Sequence, residues 1–188
     1  MQLRFGMLCA AVSLFAAPAL AASPDSAFAT KAAQGGLAEV KLAQLAEQKS
    51  TNPTVVAFAR RMVADHTPNN QKLAAIMKSE GLAVPTSVGA QNQAVMTKLN
   101  GLSGAAFNSA YLKGQVTAHE QMATLLQGEI ANGKDPKLVA YGKSTLPVVQ
   151  QHLQLAQTDI KASASRSSSM KASGGAMKSM SSPAPMST

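Results

Sequence analysis

The chain has 188 residues, with 17 lysines and arginines against 9 acids, a formal net charge of +8 and 46% hydrophobic residues. That is enough apolar material for a packed core, and the single cysteine, Cys9, rules out a disulfide framework. No G-x-S-x-G elbow, phosphate-binding glycine loop or H-E-x-x-H pair occurs, so an enzyme working without a metal has no signature here.

The N-terminus reads Met1-Gln-Leu-Arg4, an apolar run from Phe5 to Ala17, then Pro18-Ala19-Leu20-Ala21. A basic start, a hydrophobic stretch and an A-x-A site are the parts of a signal peptide, here covering 1–21 with cleavage near Ala21. The run is shorter than the ~20 apolar residues of a membrane-spanning helix. Leu8 before Cys9 is not the small residue that a lipoprotein processing site requires. The expected product is periplasmic or secreted. Loss of Arg4 with the signal leaves a net +7, of which Arg166, Lys171 and Lys178 near the C-terminus supply three. No basic run is interleaved with aromatics, so nucleic acid is not an expected partner. The expected partners are anionic envelope components, attracted weakly through the basic tail.

The first helix is expected over Asp25 to Lys49, where Phe28, Ala32, Gly36, Val40, Ala43 and Ala46 recur three and four apart. Gly35-Gly36 in its middle costs ~1 kcal/mol per residue against alanine, which implies that a neighbouring helix approaches closely there. Asn52-Pro53 starts a second helix, with asparagine as cap and proline at the first position. Its inner face reads Phe58, Met62, His66, Leu73 and Met77 until Gly81 and Pro85 stop it, and Thr67-Pro68 interrupts it. After a loop, Gln91 to Leu99 forms a short helix. Gly104 to Ala131 follows, capped by Ser103, with Phe107, Tyr111, Leu112, Val116, His119, Met122 and Leu126 inward. Asn132-Gly133 is expected to end it through a positive φ. Asp135-Pro136 then begins the last long helix, facing inward with Leu138, Tyr141, Thr145, Val149, His152, Ala156 and Ile160.

Beyond Lys161 the chain is Ser, Ala, Gly, Lys, Pro and Met without an apolar face, so residues 162–188 are expected to be disordered. The architecture is all-α: a four-helix bundle over residues 25–161, antiparallel where the links are short, with the Gln91 helix on a longer crossover.

Glu39, His66, His119 and His152 occupy inward, mid-helix positions, one on each long helix, where the helical period otherwise calls for an apolar residue. Mid-helix positions of a bundle share one level, and imidazoles from facing helices are how bundles build metal sites. The four residues are therefore a candidate shell for a single Zn, Fe or Cu ion. The structural alternative is a polar core network of neutral histidines bonded to Glu39, Tyr111, Tyr141 or Thr145. Asp65, about 100° round the helix from His66, is expected to pair with Arg61 or Asn69 one turn away. Glu120 gets the same reading, and Glu47, Glu80 and Glu129 read as surface charges. Met170, Met177, Met180 and Met186 are soft donors that suit Cu(I), but their lysine neighbours oppose a cation.

Phe28 with Ala32, Gly35-Gly36 and Glu39, then Phe58-Ala59, Met62-Val63 and Asp65-His66-Thr67, then Phe107 and Tyr111 with His119, and finally Leu146-Pro147 with His152-Leu153, resemble an exported bacterial family of unknown function. The resemblance covers roughly Ala27 to Ile160, and it implies a ferritin-like fold. Members often carry membrane-protein labels, whereas here only the signal is hydrophobic enough to insert. Di-iron ferritin-like proteins use Glu-x-x-His on two helices. The residues three before His66, His119 and His152 are Val63, Val116 and Val149, so two bridged irons are not expected. The leading expectation is a non-enzymatic envelope protein acting by binding or stress protection, and the alternative is a mononuclear metal-binding or metal-dependent redox protein.

Overall fold

The computed structural model describes residues 23–178. They form five helices and no strand: α1 (Pro24–Lys49), α2 (Pro53–Ser79), α3 (Gly89–Asn100), α4 (Gly104–Asn132) and α5 (Pro136–Lys178). No helix among them is long and apolar enough to cross a membrane. The signal peptide read over 1–21 and the final residues of the tail, 179–188, lie outside the described residues.

Three helices open with a side-chain cap followed by proline. Ser23 Oγ accepts from Ser26 N at 3.1 Å, Asn52 Oδ1 from Thr54 N at 3.0 Å, and Asp135 Oδ1 from Lys137 N at 2.8 Å. Each cap satisfies a donor that the first turn leaves without a partner. Ser103 precedes α4 as expected but makes no such bond. Asp25 adds a long-range tie: its carboxylate accepts from Lys134 N and Asp135 N, joining the start of α1 to the link between α4 and α5.

One boundary differs from the sequence reading. Gly133 ends α4 with φ −59°, not a positive φ. Glycine is needed there for space, because a Cβ would lie 2.6 Å from the Glu129 carbonyl oxygen. The last helix runs past the bundle core as far as Lys178. Periodicity ends at the core, but extending a formed helix costs far less than nucleating one. Both internal prolines, Pro68 and Pro147, are carried inside continuous helices.

α1 packs mainly on α2, and α4 on α5, with α1 against α4 and α2 against α5 completing the circuit. α3, on the connection between α2 and α4, lies against α1 and α4, and Lys49 Nζ donates to the Asn100 carbonyl. The expected inner faces are the buried ones, with Val40, Val116, Met122 and Ile160 half-buried. The close approach at the glycine pair is present too. A Cβ on Gly36 would meet Asn70 Oδ1 of α2 at 2.0 Å, and one on Gly35 would meet Met122 Cε of α4 at 2.8 Å.

The core is divided. One apolar cluster contains Leu42, Ala46, Phe58, Met62, Phe107, Tyr111 and Ala156. The other contains Phe28, Ala32, Leu73, Met77, Leu126, Leu138, Tyr141 and Val149. The three histidines fall between them along their own helices, so a polar layer separates two apolar halves; Glu39 follows Ala38 at the edge of the first cluster.

Candidate metal centre

His66 of α2, His119 of α4 and His152 of α5 meet in this layer. Each ring contributes one ligand atom, and all three atoms lie within 4.8 Å of one another. The ring centroids are 5.7 Å apart for His66–His119, 5.3 Å for His66–His152 and 5.4 Å for His119–His152. All three residues are buried, His152 completely. Nitrogens sharing a tetrahedral zinc ion at ~2.0–2.1 Å stand roughly 3.4 Å apart. Small ring rotations therefore bring these side chains to coordination distance.

The neighbours settle which nitrogen carries the lone pair on two of the rings. His119 Nδ1 lies 2.8 Å from the Gln115 carbonyl, one turn earlier. A carbonyl only accepts, so Nδ1 carries the proton and Nε2 the lone pair. His152 Nε2 lies 2.9 Å from Asp65 Oδ2. Burial pushes the Asp65 carboxyl up, but hydrogen bonds from Arg61 and His152 outweigh it and hold the group below its usual value. As an ionised carboxylate Asp65 can only accept, which makes His152 Nε2 the donor and Nδ1 the lone pair.

Those two lone-pair nitrogens, His119 Nε2 and His152 Nδ1, are buried without a protein partner, and so is His66 Nε2. Leaving a buried polar atom unbonded costs about 1–3 kcal/mol. Three such atoms on three converging rings form a donor set that the protein alone does not satisfy. Burial also favours the neutral, metal-binding form of His66 and His152. It is the main cause that depresses His66 to about 3, with His119 and His152 adding to it. His152 is lowered for the same main reason, against the opposing pull of Asp65.

Glu39 stands apart from this group. It is not among the residues whose ligand atoms converge. Its partners are Gln115, by a side-chain hydrogen bond, and His119, by charge. Burial is the dominant influence and raises its pKa, which favours the neutral acid, a poor metal ligand. Glu39 Oε2, Gln115 Oε1 and the Tyr111 hydroxyl are all buried without partners, so the polar layer extends from the histidines towards α1. Burial also pushes the Tyr111 hydroxyl well above its ordinary range.

Two acids make contacts or take places beyond the sequence reading. Asp65 does pair with Arg61, as expected, but its other bond crosses to His152. Helical spacing reveals partners on the same helix and says nothing of one on a facing helix. Glu129 is buried rather than a surface charge, lying under the α4–α5 link where Gly133 passes. Glu47 pairs with Arg60 and Glu80 with Lys137 at the surface, as ordinary charges do. Gln115 was not singled out, although its place one turn before His119 is the signal for it.

A groove of about 360 Å³ between α2 and α5 leads to the centre, with His66 and His152 in its lining. Three neutral imidazoles from three helices suit a late first-row transition metal and leave a further coordination position open. The bonds from His152 to Asp65 and from His119 to the Gln115 carbonyl orient the rings as ligating histidines are commonly oriented.

Comparison with curated proteins and with solved structures yields no match. A family model described as Domain of unknown function (DUF4142) matches residues 10–158, most of the chain, and the protein belongs to that family.

Proposed function

We propose that this is an exported, ferritin-like helical-bundle protein that holds one transition-metal ion through His66, His119 and His152. The observation that carries the reading is the set of three buried ring nitrogens without protein partners, on rings whose ligand atoms lie within 4.8 Å of one another. A core network built for packing alone would have bonded them, since buried polar groups are overwhelmingly satisfied. Zinc, copper and iron all accept such a set. Glu39, which burial favours as the neutral acid, lies beside His119 in the same polar layer without joining the ligands.

The ferritin-like part of the proposal draws on helix direction. α1 and α5 pass from the Phe28 cluster to the Phe58 cluster, whereas α2 and α4 pass the other way. Each packed pair is then antiparallel, with α3 on the long crossover. The ion is single, because valines stand where a di-iron site needs glutamates.

The test is the metal content of residues 22–188, exported to the periplasm and purified without chelator or affinity metal. Near-stoichiometric metal, lost in His66→Ala and His119→Ala variants that remain helical, is the expected result. A metal-free protein that also fails to take up zinc, copper or iron in vitro would leave the layer as a polar packing network.

A further inference from the structure

The groove between α2 and α5 is more than a gap in the packing. Arg61, Asp65, His66, Asn69 and Lys72 line it from α2, and Ser144, Thr145, Val149 and His152 from α5. The seam is tied along its length: Asn69 Nδ2 donates to the Tyr141 hydroxyl at 2.7 Å, Thr145 Oγ1 to Asn69 Oδ1 at 3.1 Å, and Lys72 Nζ to Ser144 Oγ at 2.8 Å. These cross-bonds fix the two walls relative to one another.

Its charge is one-sided. Asp65 is the only acid in the lining, and its carboxylate is occupied by Arg61 and His152. Lys72 pairs with no carboxylate among the described residues and reaches only the Ser144 hydroxyl, so its cation is left for whatever enters. At the inner end stand His66 and His152, each with one buried nitrogen unpartnered. Three neutral imidazoles leave a divalent ion with its full charge and a vacant coordination position. A cationic groove ending on a cationic centre concentrates anions.

We propose that the α2–α5 groove admits a small inorganic anion that binds directly to the ion held by His66, His119 and His152, with Lys72 drawing it in. This rests on the metal-binding reading and adds the class of exogenous ligand and its route. Lys72 acts by attraction along the path and is not itself a metal ligand. The exposed Lys72 tolerates substitution without loss of the core.

The experiment loads the full mature chain with Co²⁺, whose visible bands report coordination, and then titrates azide. The expected result is a saturable change in the cobalt bands. In Lys72→Glu, azide binding weakens about tenfold while cobalt is held no more weakly, because the substitution removes positive charge from the groove and from no ligand. Cobalt bands that ignore azide, or an azide affinity unchanged in Lys72→Glu, would overturn the proposal. Absence of cobalt bands before any azide is added would sink the metal-binding reading itself, and this inference with it.

Discussion

Asp65 Oδ2 of α2 accepts a hydrogen bond from His152 Nε2 of α5 across 2.9 Å, while Arg61 one turn earlier holds the same oxygen from the other side. The arginine keeps the carboxylate ionised and in place, and the carboxylate sets the tautomer and the angle of the imidazole. Such an orienting partner is commonly worth 10–100-fold in metal affinity. Asp65→Ala should therefore weaken zinc binding by about 10–100-fold in a competition titration while the protein stays folded. An unchanged affinity, alongside loss of binding in His119→Ala, would remove the role assigned to Asp65.

Histidine nitrogens that await an ion are a liability without one. His66→Leu has similar bulk and deletes one unpartnered nitrogen, so the metal-free variant should be about 1 kcal/mol more stable than the metal-free parent. It should also lose the rise in melting temperature that zinc produces in the parent. Denaturant unfolding of both proteins with chelator present decides the matter. A destabilised His66→Leu would mean that the ring is already satisfied as a packing residue.

The glycine pair separates space from flexibility. Alanine gains about 1 kcal/mol of helix propensity over glycine at either position. At Gly35 the new methyl meets the flexible end of Met122, which can move, whereas at Gly36 it meets the half-buried Asn70 amide at 2.0 Å. Gly36→Ala should be less stable than Gly35→Ala by about 1–2 kcal/mol, as overpacking at a helix contact commonly costs. Equal melting temperatures for the two variants would contradict the contact.

Glu129 is held above its ordinary pKa, first by burial and then by the nearby charges of Asp25 and Asp135. A carboxyl whose folded pKa is raised contributes stability below its unfolded value, and that contribution is lost as pH rises through the folded value. Glu129→Gln should thus match the parent in acid and exceed it by about 1 kcal/mol at neutral pH. Melting curves from pH 4 upward would show the two proteins diverging. A difference constant with pH would show that the charge of Glu129 is not its cost.

Helix starts and inner faces were legible because both are local. A cap followed by proline declares itself at Asn52-Pro53 and Asp135-Pro136, and a core stripe repeats within its own helix. The histidine cluster was legible for the same reason, since an imidazole on an apolar stripe has nowhere to go but inward. What escaped was relational. Whether Glu39 completes the set depends on the packing of α1 against α4, and the bond from Asp65 to His152 joins residues 87 positions apart.

The divided core bears on how the protein opens. Apolar clusters on either side of a polar waist can lose structure separately, and in hydrogen-exchange experiments such halves behave as distinct cooperative units. An ion gripped by α2, α4 and α5 at that waist would be a rivet between them, merging two units into one. Amide protons around Phe107 and around Leu138 would then exchange with different opening energies in the metal-free chain and with a common one in the loaded chain. The same three side chains that hold the ion would decide whether the molecule melts in two steps or in one.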